Sequence, residues 1–189
     1  MSKQTSEISC ECGEMVWIIK DTSKGRHLAC HCIDCQSFAR HLNQADRHLE
    51  KDGTRIFQTY PGNVEFVKGA EHLALLQLSP KGTYRWYAKC CNTPIANTMT
   101  KSALPFSGMI LPKDHPDFGA IKSRFFTKYT EEDVKDKAVL PAILSFLSRG
   151  AIVRLKGQER KSPFFMADDQ PVATSTVLTK EQRNQARAR

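Results

Sequence analysis

The residues of this chain best able to do chemistry are its seven cysteines, which fall into three groups. They are Cys10 and Cys12; Cys30, Cys32 and Cys35; and Cys90 and Cys91. Three thiols as close as those of "CHCIDC" can hold a metal, pair as a disulfide with one left over, or sit inertly in a core. C-x-C on an extended segment turns both thiols to one face, and C-x-x-C in a tight turn brings two sulfurs to one point. Cys30, Cys32 and Cys35 combine both spacings, so three thiolates can reach one ion. Thiolate-rich tetrahedral sites select zinc, at zinc–sulfur distances of ~2.3 Å. Closed structural zinc takes four protein ligands, whereas catalytic zinc takes three and keeps a position open. A dication held by three thiolates carries a net negative charge. It is then a poor acid for water and better suited to an incoming thiol, a thioether or a thiohemiacetal. His31, between two of the ligands, should point the other way.

Cys10 and Cys12 need partners from far along the chain, and Cys90 and Cys91 remain. Neighbours in a strand face opposite sides, so both reach one ion only if the backbone bends there. Pro94, just beyond, makes a break in the strand plausible. With a straight strand, one of the two joins Cys10 and Cys12. The other then faces elsewhere or closes the first cluster. The expectation is one or two zinc ions.

The elements that must position these thiols read as mainly β. "EMVWIIKDT" suits a strand, "SKGRH" a turn, and "HLACHC" a strand returning into the cysteine cluster. "QSFARHLNQADRHLEKDG" reads as one helix, with Phe38, Leu42, Ala45 and Leu49 in one apolar stripe and Asp52–Gly53 ending it. "TRIFQTY", "NVEFVKG", "HLALLQLS" and "TYRWYAKCC" follow as strands, with a hairpin at Pro80–Gly82. "VLPAILSFLSRG" reads as a second helix, with Pro141 in its first turn and Gly150 as its cap. Residues 151–177 read as an extended, proline-punctuated arm, and "LTKEQRNQARAR" as a short terminal helix. The division expected is a zinc-binding domain over 1–150 and a basic arm and tail over 151–189.

Composition bounds the function. The 189 residues suffice for one domain with a real core. No apolar run approaches the ~18 residues of a membrane span, and the first residues lack the apolar stretch of a signal peptide. A reducing compartment, the cytoplasm, is expected, where clustered cysteines serve metals or catalysis. An odd number of cysteines also does not suit a closed disulfide framework. The net charge is +8. Residues Arg149–Arg189 carry nine Lys/Arg against four Asp/Glu. That basic tail leaves nucleic acid as a candidate partner, but its charges are dispersed and it shows no recognition motif. Its alternative role is solubility.

The pattern resembles the family of glutathione-dependent formaldehyde-activating enzymes, which includes the centromere-protein-V-like proteins. The matching pieces are "CECG" at Cys10–Gly13, "CHCIDCQ" at Cys30–Gln36 and "RWYAKCCNTPI" at Arg85–Ile95. The resemblance covers about Ser9 to Thr98 and implies an Mss4-like, β-rich zinc fold. It also implies that Cys10 and Cys12 hold a structural zinc with cysteines of the third motif. Cys30, Cys32 and Cys35 would hold the catalytic zinc, open to a glutathione-borne substrate whose carbon–sulfur bond is made or broken. The third motif departs from the family. Ala88 stands where its first cysteine should be, Cys90 comes two positions later, and Asn92 replaces a glycine. Cys90 then substitutes for the lost ligand, or the structural site is weakened. The chain looks like a divergent branch.

Glutathione carries two carboxylates, so Arg40, Arg85 and Lys89 are candidates to bind them. The alternative for each is surface solubility. Trp86 and Tyr87 read as core, His41 and His48 as ordinary helix residues, and Phe164 with Phe165 as an anchor for the arm. Three functions compete: a zinc-dependent carbon–sulfur lyase acting on a small-molecule thiol adduct, a zinc-stabilised binding module with a basic tail, and a redox sensor with metal-free reactive thiols.

Overall fold

The structure, a computed structural model, describes residues 4–115, 118–155, 157 and 162–188. In chain order its elements begin with β1 (Ser6–Ser9), β2 (Val16–Ile19), β3 (Arg26–Cys30), α1 (Ile33–His41), α2 (Ala45–His48) and β4 (Leu49–Glu50). They continue with β5 (Gly53–Thr59), β6 (Val64–Lys68), β7 (Leu73–Gln77), β8 (Tyr84–Ala88), β9 (Thr93–Thr98) and β10 (Ser107–Ile110). The last are β11 (Ser123–Phe125), α3 (Val139–Leu155), β12 (Ser175–Val177) and α4 (Lys180–Arg187). This is a β-rich α+β fold, as expected.

Two sheets carry it. The small one runs β1-β2-β6. The large one runs β11-β3-β5-β10-β9-β8-β7-β12, with β4 also on β5. Its pairings are antiparallel except at the two ends, where β11 lies parallel to β3 and β12 parallel to β7. Side chains alternate along each strand, so the large sheet buries both faces. Leu75, Trp86, Ile95 and Met109 pack against Ile8, Trp17 and Ile19 of the small sheet. Their neighbours Leu76 and Ile110 pack on the other face against Phe38 and Leu42 of the α1 region and Leu178. Phe164 and Phe165 anchor their segment as expected: Phe164 is fully buried, its ring 5.2 Å from Trp86 and 5.5 Å from Phe66.

Three local expectations change. The single helix read from Gln36 onward is two. Asn43, at φ 57°, takes the left-handed region that asparagine tolerates, and the chain turns there. Buried Gln44 follows, its Nε2 donating to Glu11 Oε2 at 2.7 Å and to the Cys91 carbonyl at 3.2 Å. The helix read as capped by Gly150 continues to Leu155, so the first residues of the expected arm are helical. Finally, β8 stops at Ala88, and Cys90 and Cys91 lie in the turn beyond it. The hairpin at Pro80–Gly82 forms between β7 and β8. The terminal helix also forms, with Thr179 and Gln182 making a capping box.

His48 ties pH to stability. It is buried, its Nδ1 donates to the Leu111 carbonyl at 3.3 Å, and its Nε2 has no partner. Burial depresses its pKa from 6.5 to about 4. Between those values the unfolded chain binds a proton that the folded ring refuses, so stability falls as pH drops through this window. The loss is about 2 kcal/mol between roughly pH 7 and 5. Thermal melts of His48→Gln should show a shallower acid limb than wild type by that amount; superimposable limbs would sink the assignment.

Candidate metal centres and the adjoining cleft

The turn after β1 and the turn after β8 build the first centre. Cys10 ends β1's hairpin arm, and the chain reverses through Gly13, whose φ of 75° suits glycine. Gly13 N–H donates to the Cys10 carbonyl and Met15 N–H to the Cys10 sulfur at 3.2 Å. Opposite, the Cys91 N–H donates to the Ala88 carbonyl, and Asn92 takes the left-handed φ of 59°. The backbone therefore bends at the pair, and both thiols turn to one point. The sulfur separations are 3.6 Å for Cys10–Cys12, 3.8 Å for Cys10–Cys90, 3.4 Å for Cys12–Cys90 and 3.8 Å for Cys90–Cys91. A tetrahedron of sulfurs ~2.3 Å from a central ion has edges of ~3.8 Å. Four donors at these spacings fit one ion, with Cys90 among them.

The second centre is local. β3 delivers Cys30, Cys32 is the N-cap of α1, and Cys35 lies in that helix's first turn. Cys35 N–H donates to the Cys32 sulfur at 3.4 Å, and Gln36 Nε2 clamps the loop by donating to the His31 carbonyl at 2.8 Å. The three sulfurs lie within 4.8 Å of one another. Among the described residues no fourth cysteine, histidine or carboxylate joins them. None of the seven thiols is in a disulfide. Both groups are positioned to hold a metal ion, and their thiolate donors are compatible with zinc.

Electrostatics points the same way. Hydrogen bonds to Cys32 and Cys35, then burial, push the Cys30 thiol well up. Those same bonds, from Cys30 first and then Cys32, hold Cys35 well below the usual thiol range, helped by the Arg85 guanidinium. Cys32 accepts a bond from Cys30, but donation to Cys35 and burial leave it raised to about 12. In the four-thiol group, burial raises Cys10 and Cys90. Cys91 is partly desolvated, yet bonds from Thr93 and the Cys12 backbone hold it at about 6. A bound dication would displace the thiol protons of either group.

The two centres differ in surroundings. The three-thiol group faces a cleft of about 390 Å³ walled by Phe106, Phe125 and Phe126. Its polar lining, besides the thiols, is Asp34, Gln58, Thr83, Arg85 and Asn97. Arg85 is buried, donates to Asn97 Oδ1 at 3.1 Å, stacks over Phe38 and pairs with Asp34 at 3.9 Å. Arg187 of α4 reaches Asp34 from the other side at 3.7 Å.

Of the basic candidates, Arg85 lines this cleft. Arg40 does not; it binds Gln36 Oε1 at 3.1 Å and Asp52 at 3.3 Å. Lys89 is exposed in the turn before Cys90 and is likewise not part of the lining. His31 turns away from the thiols, as expected, with Nδ1 on the Lys51 carbonyl. Asn97, Gln58 and Asp34 went unnoticed in the sequence. The β8–β9 register sets Asn97 opposite Arg85, and both are buried.

Among solved structures, the chain is similar to a crystal structure of a Rhodobacter sphaeroides protein at 19% identity. The match covers 64% of this chain and all of that one, with a TM-score of 0.39. The comparison with curated proteins gave no match. The family-level match spans residues 1–176 and so takes in all seven cysteines and the cleft. The chain belongs to the family of unknown function DUF6151.

Proposed function

We propose that both cysteine groups bind zinc, and that the protein is a carbon–sulfur lyase-type enzyme acting on a thiol adduct, borne by glutathione or a similar thiol. The reading extends the resemblance to the formaldehyde-activating enzymes. One observation carries it: four sulfurs surround the first centre, whereas three sulfurs at the second face a cleft. Zinc held by three thiolates would supply a soft Lewis-acid position for a further sulfur.

The chain's own residues do the rest. In the forming direction a thiol adds across a carbonyl: sulfur's electron pair makes the new bond to carbon, and the carbonyl oxygen gains the proton. Lysis reverses both. Arg85, fixed by Asn97 and stacked on Phe38, offers a preorganised cation for a substrate carboxylate. Phe106, Phe125 and Phe126 keep water from the reacting carbon. The competing reading, a binding module that reaches out with a basic tail, has less support, since α4 lies on α1 and Arg187 is engaged by Asp34.

Native mass spectrometry should count two zinc ions per chain; none would overturn the proposal. With metal present, NMR of glutathione and formaldehyde should show accelerated adduct exchange. Arg85→Ala should raise KM for a carboxylate-bearing thiol by about 10–100-fold while the zinc count stays at two. An unchanged KM would remove Arg85 from the site.

A further inference from the structure

α3 presents an apolar face that the described residues of the chain leave uncovered. Its inward side is held by the body: Ala142 and Val153 are buried, the Phe146 ring stands 5.6 Å from that of Phe106, and Arg149 donates to Gln58 Oε1 at 3.3 Å. Its outward side carries Leu140, Ile143, Leu144, Leu147, Ile152 and Leu155, which are between 44% and 88% exposed. A helix that packs by one side keeps charged and polar residues on the other, whereas a helix apolar on both sides is buried on both. α3 has no carboxylate, and of its two cations Arg149 is engaged inward, which leaves only Arg154 exposed.

Size and symmetry together identify the cover. Each of the six side chains shows on the order of 100 Å² of apolar surface, about 600 Å² in all. Monomer surfaces rarely hold a larger apolar patch. A standard protein–protein interface buries ~800 Å² on each partner, roughly 60% of it apolar, so this one face suffices for a stable contact. The face is also self-complementary. Packing two α3 helices antiparallel about a two-fold axis between Leu147 and Ser148 sets Leu140 against Leu155, Ile143 against Ile152 and Leu144 against Ala151. At the centre Leu147 meets Ser148, whose hydroxyl already donates to the Ser145 carbonyl at 3.1 Å and so brings no unpaired donor. The ends match in charge. Residues 131–137, just before α3, carry four acids against two lysines, and antiparallel pairing brings them toward Arg154 of the other copy.

We infer that α3 is a self-association element, through which two copies of this chain pair antiparallel about a two-fold axis. Helices that lie in a lipid surface carry Lys and Arg along a strongly polar side, which α3 lacks, so a membrane is the poorer cover. Pairing also reaches the thiol cleft. Phe106 and Gln58 line that cleft and are the residues α3 touches from behind, so a second helix would brace its wall.

Sedimentation velocity of the full chain between about 1 and 100 µM tests this. The expected species at the upper end has twice the 21.3 kDa mass of one chain. Leu144→Glu and Ala151→Lys should each weaken pairing at least about 100-fold, because each buries an unpaired charge in the contact. Both positions are exposed in the single chain, so circular dichroism should show the fold intact. An equimolar mixture of the two variants should recover the dimer, since the antiparallel register sets the introduced charges face to face. A single-chain mass at the highest concentration overturns the proposal, as does a dimer that survives both substitutions. Failure of the mixture to pair overturns the antiparallel register. A wild-type monomer that floats with vesicles of phosphatidylserine and phosphatidylcholine overturns it too, and assigns the face to a membrane.

Discussion

Cys10→Ser should lower the melting temperature by about 8–16 °C, the consequence of losing about 4 kcal/mol from a domain of this size. Cys10 is 2% exposed, and its sulfur lies 3.6 Å from that of Cys12 and 3.8 Å from that of Cys90. Serine retains an acceptor for the Met15 N–H that the sulfur now takes. What it removes is the soft donor, so the substitution isolates the metal's share of the stability. On the proposed zinc binding that share should be large, because the four sulfurs link the β1–β2 arm to the β8–β9 turn, and the small sheet would owe its position to that tie as well as to its apolar face. A strong chelator should bring wild type down to the same melting temperature and lower the variant's little further. A melting temperature within about 2 °C of wild type, with the metal count unchanged, would show that the group is not a structural cross-link.

Cys32→Ser should do the opposite: preserve the fold and stop the chemistry. Cys32 is the N-cap of α1, its sulfur accepting from the Cys35 N–H. Serine is among the best N-cap residues, so the helix start survives the exchange. The three-thiol group, however, drops to two donors facing an open cleft, too few to retain zinc against water. The expected readout is one zinc fewer per chain, a melting temperature shifted by less than about 3 °C, and kcat/KM for the thiol adduct reduced at least about 100-fold. Unfolding on this single exchange would assign the second centre to structure instead. Full metal and full turnover would take Cys32 out of the site. Measured together, the Cys10 and Cys32 variants separate a structural role from a reactive one, because each centre is predicted to fail in a different observable.

Much of this could be read from residue types and spacing, because the signals were local. The strands around Trp17, Phe57, Phe66, Leu75 and Trp86 announce themselves by β-branched and aromatic content, and the turn at Pro80–Gly82 by its own residues. The cysteine groups were legible because C-x-C and C-x-x-C restrict geometry within a few bonds. Phe164 and Phe165 were legible because two adjacent phenylalanines need cover. What escaped depended on distant partners or on one backbone angle. The break at Asn43 depends on a left-handed residue inside an otherwise helical pattern, and on Gln44 finding Glu11 and the Cys91 carbonyl. Gly150 reads as a stop because glycine often ends helices, but α3 passes through it. The parallel pairings of β11 and β12 involve three residues each and no connecting turn that could advertise them. Arg40 and Lys89 resemble Arg85 in type; only burial and register on β8 set Arg85 apart.

The span between Cys10 and Cys90 has a consequence for timing. Eighty positions separate those thiols, while Cys30 and Cys35 are five apart. Bringing the distant pair together from a random chain costs on the order of 4 kcal/mol in loop entropy, against about 1.4 for the near pair. The near group can therefore capture its ion while the chain is still largely unstructured, whereas the far group has no shape until both hairpins have met. One ion would be a companion of early collapse, and the other a seal set on a finished barrier, slower to enter and slower to escape.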